Sequence, residues 1–149
     1  MFRLPAASRL EAWRNFRKLL DTLEFESALQ QTAEFWTPAP YTPYYLDPDD
    51  LESWPDPWTL VEENYYCDLA KSLAMLYTVY LTGHKNSIEY EIRVYKDPDT
   101  GVLYHIAYLC QGKYILNLVD SEVVNKTSIQ EKFKLVRCWD SSKLNLEKY

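Results

Sequence analysis

The chain has 149 residues, 47% hydrophobic and 26% charged, with 22 acidic against 16 basic side chains for a net charge of −6. That is one domain's length with an ordinary globular balance, enough to bury a core without metal or disulfide staples. The acidic balance argues against nucleic acid and anionic membranes as partners, because both need cationic surface, and three glycines leave no phosphate loop of the GxxxxGK[ST] or GxGxxG type.

In chain order, the first residues, MFRLPAASRLEAW, lack the apolar core of a signal peptide. Ser8 and Glu11 have capping-box spacing, and Trp13, Phe16, Leu19, Leu20 and Leu23 follow with helical period. This predicts a helix over 8–21 and a second over 24–35, the latter carrying Phe25, Ala28, Leu29, Ala33 and Trp36. Six of the eight prolines then fall between Thr37 and Trp58, among many Tyr and Trp. Such a stretch is neither helix interior nor central strand. Its aromatics predict an ordered strap packed on the domain, with a binding surface as the competing role.

Thr59 is expected to cap a short helical turn. The stripe Tyr66, Leu69, Ala70, Leu73, Ala74, Tyr77, Tyr80, Leu81 predicts the main helix, ended by Gly83. Its apolar stretch is far too short to span a bilayer. The period then changes to two. Strands are predicted over 88–95, 102–109, 114–119 and 134–139, with a turn at Asp97–Gly101 and another at Gln111-Gly112. The expected fold is α+β: N-terminal helices and a central Cys-bearing helix packed on an antiparallel meander of 3–4 strands. One domain over 1–149 is expected, divided into a helical part (1–36), the strap (37–58) and the core (59–149).

Chemistry centres on Cys67, at the start of the main helix. A thiol there feels the positive helix end, which favours thiolate, and Lys71 one turn on adds positive charge. A plain buried-hydrophobe role competes with this. The histidines are His84, expected exposed after Gly83, and His105, inside a strand. A three-residue hairpin loop, 110–112, would set Asn117 opposite His105 on one face, about 5 Å apart at Cβ. Cys67, His105 and Asn117 then form a Cys-His-Asn set: nucleophile, base and orienter. Backbone N–H groups at the helix start, with Asn64 or Trp58 beside them, would line an oxyanion region.

The stretches Asp56-Pro57-Trp58-Thr59-Leu60 and Tyr66-Cys67-Asp68-Leu69-Ala70-Lys71, with His105-Ile106-Ala107-Tyr108-Leu109 and Gly112 to Asn117, resemble the bacterial transglutaminase-like cysteine peptidases. The resemblance covers roughly residues 54–119. It implies a papain-like fold, a cysteine nucleophile and a protein or peptide amide substrate. Tyr65-Tyr66 stands where the family has Gly-Asp, and Asn117 where it has Asp. The Trp54–Trp58 run also looks like small proteins of tailed bacteriophages, which implies instead a virion or assembly protein that keeps the fold without the chemistry. No cofactor is expected. Asp47, Asp49, Asp50 and Glu52 lack the glycine of a calcium loop, and the Cys and His residues lack zinc spacing. Three cysteines without a secretion signal imply free thiols in a reducing, cytoplasmic setting, or a virion if phage-encoded.

Overall fold

The computed structural model describes residues 1–149, the side chain of Ser87 excepted. Five helices, α1 (Ala6–Leu20), α2 (Phe25–Trp36), α3 (Pro57–Glu63), α4 (Asp68–Tyr80) and α5 (Ser141–Leu144), pack on four strands: β1 (Tyr90–Lys96), β2 (Leu103–Leu109), β3 (Tyr114–Leu116) and β4 (Lys134–Asp140). The sheet is antiparallel with strand order β3-β2-β1-β4. The α+β expectation therefore holds, but the strands are not a simple meander. β4 returns past β2 and β3 to pair with β1, Glu91 opposite Asp140 and Lys96 opposite Lys134, with a bulge between Val94 and Tyr95.

Two helix starts and one helix end differ from those expected. Pro5 rather than Ser8 precedes α1, and its fixed φ and extended ψ suit a residue entering a helix. Asp56 rather than Thr59 caps α3: its carboxylate accepts from the Thr59 N–H at 2.8 Å, with Pro57 at the first helical position. α4 stops at Tyr80 before reaching Gly83, whose N–H donates instead to Asp21 Oδ1 at 2.7 Å. His84 is half-buried rather than exposed, packed on the Phe25 ring with Nε2 3.0 Å from the Leu20 carbonyl.

α4 is the hub. Its residues from Leu69 to Tyr80 are buried, Lys71 excepted, between the first two helices and the sheet face that carries Ile92, Val94, Ala107, Leu109, Leu116 and Trp139. Fully burying one such aliphatic side chain stabilises the fold by roughly 1.5–3 kcal/mol. At the helix's centre, the Thr78 hydroxyl accepts the indole N–H of Trp13 (3.0 Å) and of Trp36 (2.9 Å) and donates to the Ala74 carbonyl (2.7 Å). That is the full complement of a hydroxyl, so both large indoles are buried without an orphaned donor.

The strap is ordered by specific bonds. Tyr41 bridges Tyr66 in parallel, and the Thr42 N–H donates to the Tyr66 carbonyl at 3.0 Å. Leu46 is buried, the Tyr45 ring meets Tyr65, and the Trp54 ring meets Trp139 on β4. Arg137 of β4 donates to the Pro48 carbonyl and pairs with Asp49 at 2.6 Å. Among the described residues no helix is long and apolar enough to cross a membrane.

Candidate active site

Cys67 is the N-cap of α4, with its backbone extended (φ −76°, ψ 173°) and its Sγ accepting from the Ala70 N–H at 3.4 Å. A cap is by construction the residue at which helical N–H groups have no intrahelical acceptor, so the sulfur sits among partial positive charge. The residue is 7% exposed. Tyr66 before it is buried, its ring against Phe2 and Trp36, and its hydroxyl donates to the Leu60 carbonyl at 3.4 Å. The bulky Tyr65-Tyr66 pair thus anchors the approach to the thiol: one ring goes into the core and the other stays outside.

His105 lies on β2 opposite Val94, with the parity of Ala107 and Leu109, and so on the sheet face that packs against α4. Its Nδ1 is buried and has no hydrogen-bond partner among the described residues. Burial holds its pKa below the ordinary imidazole value, and the nearby Asp68 carboxylate offsets this in part. The imidazole is therefore held neutral around pH 7, as a base must be.

Asn117 reaches His105 by a route other than the one expected. β2 and β3 pair Leu109 with Tyr114 and Ala107 with Leu116, so the hairpin loop is 110–113, one residue longer than predicted. The expected pairing of 105 with 117 is not formed. β3 ends at Leu116, and Asn117 turns out of the strand at φ 70°, a left-handed conformation that Asn tolerates better than most residues. Its side-chain amide donates to the His105 carbonyl at 2.9 Å and to the Asp68 carbonyl at 3.2 Å. One side chain thereby ties the first turn of the thiol-bearing helix to the backbone of the imidazole.

The three supporting residues are engaged elsewhere. Asn64 ends α3 at φ 58° and donates to the Phe2 carbonyl at 3.0 Å. Trp58 sits in the first turn of α3 with its ring edge against Tyr149. Lys71 Nζ donates to the Thr37 carbonyl at 3.1 Å, joining α4 to the end of α2. Sequence reasoning missed Asp68, which accepts from Asn117 through its carbonyl and faces His105 with its charge. Its position directly after the nucleophile candidate was the available signal. Among the described residues no group of three or more His, Cys, Asp or Glu is arranged to hold a metal ion.

A groove of about 410 Å³ lies on the opposite sheet face, lined by Glu89, Glu91, Arg93, Tyr108, Gln111 and Asp140 among others. There the Arg93 guanidinium stacks 3.7 Å above the Tyr108 ring, pinned by Glu91 at 2.6 Å and the Tyr95 hydroxyl at 3.0 Å. Cys138 faces that carboxylate at 3.5 Å, and burial pushes its thiol pKa up. A thiol so placed is a poor nucleophile.

No protein-family model and no curated protein sequence matches the chain. Its structure is similar to three solved structures of LapG from Legionella pneumophila. The EGTA-treated form aligns with a TM-score of 0.72 at 15% identity, covering 91% of this chain and 74% of that one. The calcium-bound form gives 0.72 at 15%, covering 92% and 77%, and a third gives 0.70 at 14%, covering 90% and 75%. At such identities the likeness speaks for the fold, which is the papain/transglutaminase-like α+β fold.

Proposed function

We propose that this protein is a transglutaminase-like cysteine peptidase or amidase acting on protein or peptide amides, with Cys67 as nucleophile, His105 as base and Asn117 as the positioning residue. The supporting observation is the Asn117 clasp: it joins the start of the helix capped by a thiol to the strand of a neutral imidazole whose Nδ1 has no partner. In the reaction, His105 takes the thiol proton and the thiolate attacks the amide carbon. Free N–H groups at the start of α4 stabilise the oxyanion. The proton passes from His105 to the leaving amine as the C–N bond breaks, and water then hydrolyses the thioester by the same route in reverse.

The test needs no substrate. The rate of thiol alkylation against pH is compared for wild type, Cys67→Ser and His105→Ala. A fast component that belongs to Cys67 and slows on removing His105 is the expected result. A second reading is favoured by the low exposure of Cys67: the fold persists without the chemistry, in a binding or assembly protein. A slow Cys67 that ignores His105 would select it.

A further inference from the structure

Among the described residues the exposed large aromatics are Tyr41, Tyr44, Trp58 and Tyr65, all ahead of Cys67 in the strap and α3 region. Three of them are carried by two backbone segments that lie side by side. Tyr41 is bridged to Tyr66, next to Tyr65, and the Tyr65 ring meets Tyr45, next to Tyr44. Their exposures are 66% for Tyr41, 96% for Tyr44 and 51% for Tyr65. Tyr44 also holds a left-handed backbone (φ 58°), a conformation unfavourable for a bulky residue, and at that exposure this chain offers its ring almost no packing in return.

The charge of the segment that carries these tyrosines is one-sided in sequence, and among the described residues the one cation bonded to the backbone beside Tyr65 and Tyr66 is Arg9, held by the Val61 and Glu62 carbonyls. Residues 19–70 contain 12 Asp and Glu and no Lys, Arg or His, while the rest of the chain carries all 16 Lys and Arg. Asp47, Glu62, Glu63 and Asp68, the carboxylates close in sequence to the tyrosines, are exposed. Among the described residues one ion pair reaches into the segment, Arg137 to Asp49. Exposed tyrosine faces attract ammonium and guanidinium groups, and carboxylates beside them neutralise the same groups.

We propose that Tyr41, Tyr44 and Tyr65 form a docking platform for an extended, Lys/Arg-bearing peptide segment of a protein partner, next to the approach to Cys67. On the peptidase reading this segment belongs to the substrate, and that identification rests on that reading; the docking itself does not. The platform commits to cationic chains, since an acidic or neutral chain gains nothing from the surrounding carboxylates.

The experiment is fluorescence anisotropy of the full chain with a labelled Gly-Lys-Ser repeat peptide and its Gly-Glu-Ser counterpart. Saturable binding of the lysine peptide, weakened by salt, is expected. The combined variant Tyr41→Ser, Tyr44→Asn, Tyr65→Ser keeps every charge and a residue tolerant of positive φ at 44, and should weaken binding about tenfold. Glu131→Gln removes an exposed charge at the far end of the sheet, next to the Lys132–Asp99 pair, and should change affinity less than twofold. Equal binding of the glutamate peptide, or an unchanged affinity in the folded tyrosine variant, overturns the proposal. Cys67→Ala should bind the lysine peptide as wild type does. An unreactive Cys67 with intact docking would thus fail the peptidase reading alone, and a reactive Cys67 without docking would fail the platform alone.

Discussion

The two stretches of α4 handle polar groups in opposite ways. At its centre, Thr78 uses every hydrogen-bonding capacity of its hydroxyl on two indoles and a carbonyl. At its start, a thiol takes one long bond from the Ala70 N–H, and the imidazole nearby keeps a buried nitrogen with no partner. Both regions are enclosed. The difference teaches that satisfied polar groups hold a core together, whereas a buried imidazole nitrogen without a partner keeps its capacity to take or give a proton.

The largest effect should separate the two regions outright. On the proposed peptidase reading, Cys67→Ala should abolish amide hydrolysis while costing only about 1 kcal/mol of stability, the worth of a cap. Thr78→Val should do the reverse, leaving two buried indole N–H groups without an acceptor at a cost of about 2–4 kcal/mol. Urea unfolding of both variants, with Cys67 alkylation measured on Thr78→Val, checks this. If Thr78→Val unfolds at the wild-type midpoint, the comparison fails.

A smaller effect sharpens the role of Asn117. Asn117→Asp restores the residue of the resembled family but removes the amide donors and sets a carboxylate against two carbonyl oxygens. Stability should fall by about 2 kcal/mol, with slower Cys67 alkylation. An Asp variant of wild-type stability and reactivity would mean that the amide clasp is not what joins helix and strand.

The smallest effect is a pH dependence. Burial lowers the folded-state pKa of His105 below its unfolded value of about 6.5. The unfolded chain then binds the proton more readily, so His105 costs no stability above about pH 6.5 and destabilises as pH falls toward its folded pKa. Stability profiles of wild type and His105→Gln should diverge below about pH 6.5, the wild type falling more steeply. Parallel profiles would mean that His105 is not held neutral by the fold.

The elements were legible because the hydrophobic period switches from helical spacing in α4 to alternation in β1. Asp97–Gly101 is also a turn by its residue types, and Gly101 takes the positive φ (74°) expected there. Cys67 and His105 were legible as residue types at a helix start and in a strand. The register was not. Cys110 and Gln111 both adopt positive φ, 51° and 59°, ahead of Gly112 at 85°, and nothing in a Cys-Gln pair announces that. Gly112 itself is required, since a Cβ there would lie 2.6 Å from Tyr108 Cζ. The partners of Asn117 and Lys71 are backbone carbonyls, which carry no sequence signature. The place of β4 beside β1 pairs residues far apart in sequence, a long-range matter outside any local window.

That placement of β4 has a consequence for how the molecule assembles. β1 and β2 close across a tight turn, an early and local event, whereas β4 joins β1 only after the chain has passed through β2, β3 and the segment beyond. Trp139 and Arg137, which hold Trp54, Pro48 and Asp49, arrive with it. The strap is therefore latched by the last strand made. During synthesis the thiol-bearing helix can form before that latch exists, and opening of the edge strand β4 would release the part of the strap around Pro48, Asp49 and Trp54, while Tyr41 and Thr42 stay bound to Tyr66.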